Sequence, residues 1–126
     1  MSDLLLPESF TRVTAVQRVV PVTGRPDLTD PITGRIVIPT MVDLYLRRDE
    51  GVPGGTREYA YVGVTGPRRL KSRRPGKQIT SYGWQHARGD EYRRGALRPD
   101  WLTEVLADLL PDGWSPALLD LPGGGA

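Results

Sequence analysis

The chain has 126 residues, 38% of them hydrophobic and 25% charged, with a net charge of +2. That length admits one domain with a single modest core. The absence of cysteine excludes disulfides, thiolate metal sites and a cysteine nucleophile, while 15 glycines and 12 prolines demand long connections.

Residues 1–11 carry no hydrophobic periodicity and contain Pro7, so they read as a flexible leader. Three consecutive leucines without a basic start are too short for a secretory signal, and the later apolar run "VTAVQRVVPV" is half the length of a membrane span. A cytoplasmic protein without membrane partners is the expectation. "RVTAVQRVVPV", 12–22, is rich in β-branched residues and reads as a strand, with Val13, Ala15, Gln17 and Val19 on one face and Thr14, Val16, Arg18 and Val20 on the other. The turn-rich "TGRPDLTDPITG" then reads as a long loop or the tip of an extended arm.

Strand character resumes in "RIVIPTMVDLYLRRD", where Val42, Leu44 and Leu46 alternate with Asp43, Tyr45 and Arg47. Pro39 cannot donate to a ladder and marks a bulge or an edge. The turn cluster "EGVPGGT" leads into "REYAYVGVTG", in which Ala60, Val62 and Val64 oppose Tyr59 and Tyr61; the two alternating stretches predict a hairpin. "VTGR", "ITGR" and "VTGP" recur and read as turn punctuation at strand ends, placed there by the conformational freedom of glycine.

Next comes "GPRRLKSRRPGK", 66–77, with six cations in twelve positions where an even spread would put about 1.6. Ten bases against Asp90 and Glu91 give the stretch 66–98 a net charge of +8, and the remainder of the chain carries −6. Such asymmetry describes a basic surface facing an anionic partner from an acidic body. Arginine outnumbers lysine fifteen to two, a bias of composition that explains the type of cation but not the clustering.

Beyond the basic segment, Leu102, Val105, Leu106, Leu109 and Leu110 follow helical spacing opposite an acidic stripe of Asp100, Glu104 and Asp108. Pro99 suits a helix start, and Pro111 with Gly113 a stop. "SPALLDL" reads as one or two further turns before a flexible tail at 122–126. The expected fold class is therefore α+β: a small, mainly antiparallel sheet of about three strands with a C-terminal amphipathic helix packed on one face. In this reading 12–121 form one small domain carrying an irregular basic loop at 66–77.

No catalytic constellation is expected. Ser81, the single His86 and Asp90 lie near one another in sequence, but proximity along the chain does not build a triad. One histidine without cysteine does not anchor a transition metal, no acidic run has calcium-loop spacing, and no glycine motif has phosphate-loop spacing; neither metal nor cofactor is predicted. The chemistry that remains is that of Arg68, Arg69, Lys71, Arg73, Arg74 and Lys77, followed by Tyr82 and Trp84. Cations neutralise phosphates, arginine binds them bidentately, and aromatic rings stack on bases, so nucleic acid is the leading partner and a non-enzymatic accessory role the leading function. Three other readings stay open. The basic segment can dock on an acidic protein surface, it can pair with the acidic helix stripe of a second copy in a homo-oligomer, or it can be a solvated loop with Trp84 in the core.

Overall fold

The computed structural model describes residues 12–30, 33–52, 55–72, 74–88, 92–94 and 98–121, with side chains described at 12–30, 33–51, 55–72, 74–81 and 98–121. The leader and the tail fall outside these ranges.

Among the described residues seven strands run β1 Arg12–Pro21, β2 Leu28–Thr29, β3 Ile36–Val37, β4 Met41–Val52, β5 Gly55–Arg69, β6 Pro75–Arg88 and β7 Tyr92–Arg94. The helix α1 Asp100–Leu109 and a 3-10 turn at Pro116–Leu119 follow. The predicted hairpin is present: β4 and β5 are antiparallel, Leu44 opposite Val62 and Leu46 opposite Ala60. Its alternation sorts the side chains as the sequence pattern requires. Val42, Leu44, Leu46, Ala60, Val62 and Val64 are buried, and Tyr45, Tyr59 and Tyr61 remain half-exposed on the other face. On the outer face the Tyr45 and Tyr61 rings meet at 5.8 Å between centroids.

The three-strand sheet with a helix as its second layer is not what forms. The protein is predominantly sheet, with β5 at its centre: β4 and β3 pair along β5, β1 pairs with β4, β2 with β3, and β6 with β5 and β7. The helix is only ten residues long and sends Leu102 and Leu106 into the core beside β1 and β4, while Val105, Leu109 and Leu110 stay half-buried. The expectation failed over 66–94. That stretch lacks apolar alternation, yet most of it is strand, because one side of β5 would otherwise present its whole row of N–H and C=O groups unpaired.

Two bulges explain why β6 is hard to see in sequence. Ser81 stands opposite Val64, but Trp84 stands opposite Val62, so β6 carries one extra residue between them and its period-two pattern changes phase. A second shift lies between Pro67 and Arg69 of β5.

The arm predicted around 23–34 contains β2 and its turn into β3. Asp30 holds that turn from buried ground: its carboxylate accepts from the Thr33 N–H at 3.1 Å, its carbonyl accepts from the Gly34 N–H, and its own N–H donates to the Arg35 carbonyl. Gly24 and Gly34 have positive φ, as turn glycines should. Gly66, in the third of the repeated phrases, is different. It lies inside β5, opposite Ile79, and its lack of a side chain is demanded by crowding rather than by φ.

The chain end closes the core. Trp114, Leu118, Leu119 and Leu121 are buried, and the Ser115 hydroxyl caps the 3-10 turn by accepting from the Ala117 N–H at 3.2 Å. Arg48 reaches over this segment, its guanidinium 4.2 Å from the Trp114 ring centroid.

Candidate nucleic-acid interface

The segment read as an irregular basic loop is the end of a β-hairpin. Gly66–Arg69 closes β5, Pro75 opens β6, and the Leu70 N–H donates to the Arg74 carbonyl at 3.1 Å across the turn. Glycine at 76 permits the tight return: a Cβ there would stand 3.0 Å from the Arg68 carbonyl and 3.1 Å from Leu70 Cδ2. The register shift between Pro67 and Arg69 sets Arg68 opposite residues 76 and 77, which brings Lys77 alongside it.

The cations do not behave as one group. Arg68, Lys71, Arg74 and Lys77 are exposed, and among the described residues none of them makes an ion pair. Arg69 is half-buried and clasped by Asp27, its Nε and Nη2 both donating to that carboxylate, the latter at 3.2 Å to Oδ1. This hydrogen bond, aided by the charge of Asp27, raises the Arg69 guanidinium above its ordinary pKa. Asp27 precedes β2, which lies across β3 from β5, so the pair ties the arm to the hairpin. Arg73 lies outside the described residues. Leu70 stands 40% exposed at the turn, an apolar tip among the charges.

Tyr82 and Trp84 belong to β6, but well away from the turn. Trp84 pairs in register with Val62 in the middle of β5. Six β5 positions separate its partner Val62 from Arg68, which lies alongside Lys77, or roughly 20 Å at 3.3 Å per residue. The Trp84 backbone is therefore distant from the exposed cations, and the side chains of Tyr82 and Trp84 lie outside the described ones.

Ser81 and His86 do not meet either. Ser81 is fully buried opposite Val64 and His86 pairs with Ala60, four β5 positions on, or about 13 Å along the strand; Asp90 lies outside the described residues. Among the described residues no three His, Asp or Glu side chains converge as a metal site would require, and no helix is long and apolar enough to cross a membrane. No family model, curated protein or solved structure matches this chain.

Two features of the interface were illegible in the sequence. Asp27 gives no sign, 42 residues away, that it neutralises Arg69. Nor does "PRRLKSRRPGK" announce a strand–turn–strand, since proline and glycine at its ends suggest a break in structure rather than a pairing of edges.

Proposed function

We infer that the β5–β6 hairpin tip binds a polyanion, nucleic acid foremost, and that the protein is a non-enzymatic binding module. The observation that carries this reading is the presentation of Arg68, Lys71, Arg74 and Lys77 around the β5–β6 turn, where β3 flanks β5 at Arg68; all four are exposed and without an ion pair among the described residues. Exposed cations displace condensed counterions from phosphates, which gives affinity without sequence preference. Arg69 is assigned a structural part instead, because its fork is already spent on Asp27.

One observation favours a second reading. Asp100, Glu104 and Asp108 are exposed along α1, an anionic stripe that a basic hairpin from another copy would complement.

The test is a mobility-shift titration on unrelated duplex and single-stranded sequences across a salt series. Four phosphate contacts give a slope of log K against log salt of about −3.6 for duplex. Replacing Arg68, Lys71, Arg74 and Lys77 together by alanine abolishes the shift and leaves the melting temperature almost unchanged, whereas Arg69→Ala alone leaves the salt slope intact. Absence of binding to every nucleic acid at low salt overturns the nucleic-acid reading. Salt-sensitive self-association, lost in the fourfold variant, would then establish the helix stripe as the target.

A further inference from the structure

β1 is a sheet edge. It pairs with β4 in unbroken register from Arg12–Glu50 to Pro21–Met41, and among the described residues nothing pairs along its other side. Ten regular residues without a bulge leave a row of backbone donors and acceptors open, the arrangement that natural sheets normally blunt. On the inner face, Val16 and Val20 pack against the core. On the outer face, Val13 and Val19 are 51% and 48% exposed, the two most exposed large apolar side chains described.

We propose that β1 pairs with β1 of a second copy, antiparallel about a two-fold axis at Val16, so that the two sheets continue as one. The argument is one of register. A two-fold axis normal to the sheet keeps each face on its own side, so only registers that place residues of like parity opposite one another are allowed. Centring on Arg18 sets Arg18 against itself, and centring on Ala15 sets Arg12 against Arg18; both place like charges opposite. Centring on Gln17 brings Pro21 into the ladder, where it has no N–H to give.

Centring on Val16 has none of these faults. It pairs nine residues, Arg12 to Val20, and puts Val13 opposite Val19 of the second copy twice over. The two exposed valines thereby cover each other. Arg18 falls opposite Thr14 and Arg12 opposite Val20, so no cation faces a cation. The β-branched pairs and the shared backbone ladder are the interactions that stabilise antiparallel edges. The pairing uses no residue of the basic hairpin and stands whether or not that hairpin binds a polyanion.

Sedimentation equilibrium over a concentration series tests it, with circular dichroism confirming that each variant folds. The wild-type protein shifts from its chain mass of 13.9 kDa to twice that value as concentration rises. Val13→Lys with Val19→Lys puts two like-charge pairs into the seam and holds the protein at the monomer mass at every concentration. Val13→Lys with Val19→Glu puts opposite charges across the axis and restores the dimer.

Because the chain has no cysteine, cross-linking reads the register without background. Cα atoms directly opposite across an antiparallel pair are about 4.5–5.5 Å apart, within disulfide range, so Val16→Cys forms a cross-linked dimer under mild oxidation. Thr14→Cys, about 13 Å from its own copy in this register, does not. A monomer at all concentrations, a dimer indifferent to the double lysine variant, or cross-linking through Thr14→Cys in preference to Val16→Cys overturns the proposal.

Discussion

Gly66→Ala is expected to cost at least about 4 kcal/mol of folding stability, enough to leave a small domain largely unfolded at ordinary temperature. The cause is local and covalent in scale. An alanine Cβ at this position would stand 1.7 Å from the Ile38 carbonyl oxygen and 2.8 Å from its carbon, both backbone atoms with no rotamer to change. Relief requires moving the chain between β3 and β4 away from β5. That segment, Ile38 to Thr40, is held there by the Ile38 N–H donating to the Pro67 carbonyl and the Thr40 N–H to the Thr65 carbonyl, each at 2.9 Å. The Thr40 hydroxyl adds a third bond to Thr65, at 3.1 Å.

Separating the strands would break those bonds and open Val37 and Val42, both fully buried, on either side of that segment. Urea denaturation measures the loss. Gly24→Ala is the control: its positive φ costs alanine about 1–2 kcal/mol, but nothing lies within 4 Å of the added methyl. Equal midpoints for the two variants would show that strand crowding at Gly66 does not decide its identity.

Gly66 also marks the limit of what the sequence discloses. The β4–β5 hairpin is legible because Val42, Leu44 and Leu46 and their partners Ala60, Val62 and Val64 alternate without interruption, one face to the core and one to water. The α1 pattern is legible for the same reason at helical period, and Leu102 and Leu106 are buried as the spacing requires. β6 is not legible, since its bulges move Ile79 and Ser81 to one phase and Trp84 and His86 to the other, leaving no continuous period to detect. β2 and β3, at two residues each, are shorter than any pattern.

At the candidate interface the clustering of cations was visible, but their division was not. Whether an arginine faces solvent or an internal carboxylate depends on which strands lie side by side, and Arg69 meets Asp27 only because the β2–β3 arm folds alongside β5. Of the six cations counted in the sequence, Arg69 is engaged by Asp27, four are exposed without an ion pair among the described residues, and Arg73 lies outside them. The salt slope is the quantity most directly altered by that division.

Arg48→Ala is expected to destabilise the protein by about 2–4 kcal/mol, and to do so through the chain terminus rather than the sheet that carries it. Arg48 Nε donates to Glu58 Oε2 at 2.8 Å across the β4–β5 pair, while Nη2 donates to the Gly113 carbonyl at 2.8 Å and the guanidinium plane covers Trp114. Neither partner of the ion pair is fully solvated, at 24% and 16% side-chain exposure, so removing the arginine takes this counter-charge from a partly desolvated Glu58. Trp114 simultaneously loses the cation over its face, and the Gly113 carbonyl loses its donor.

The segment 114–121 then depends on Arg98, whose Nη2 donates to the Leu119 carbonyl, and on the burial of Leu118 and Leu119. Hydrogen exchange resolves the consequence: amides of 117–121 lose protection first, ahead of those in β4 and β5. Arg48→Lys recovers less than half of the loss, because an ammonium serves Glu58 but lacks the planar fork that reaches Gly113 and stacks on Trp114 together. Uniform deprotection of sheet and terminus in Arg48→Ala, or full rescue by lysine, would show that the residue acts as a point charge within the sheet and not as the clasp between β4 and the C-terminal segment.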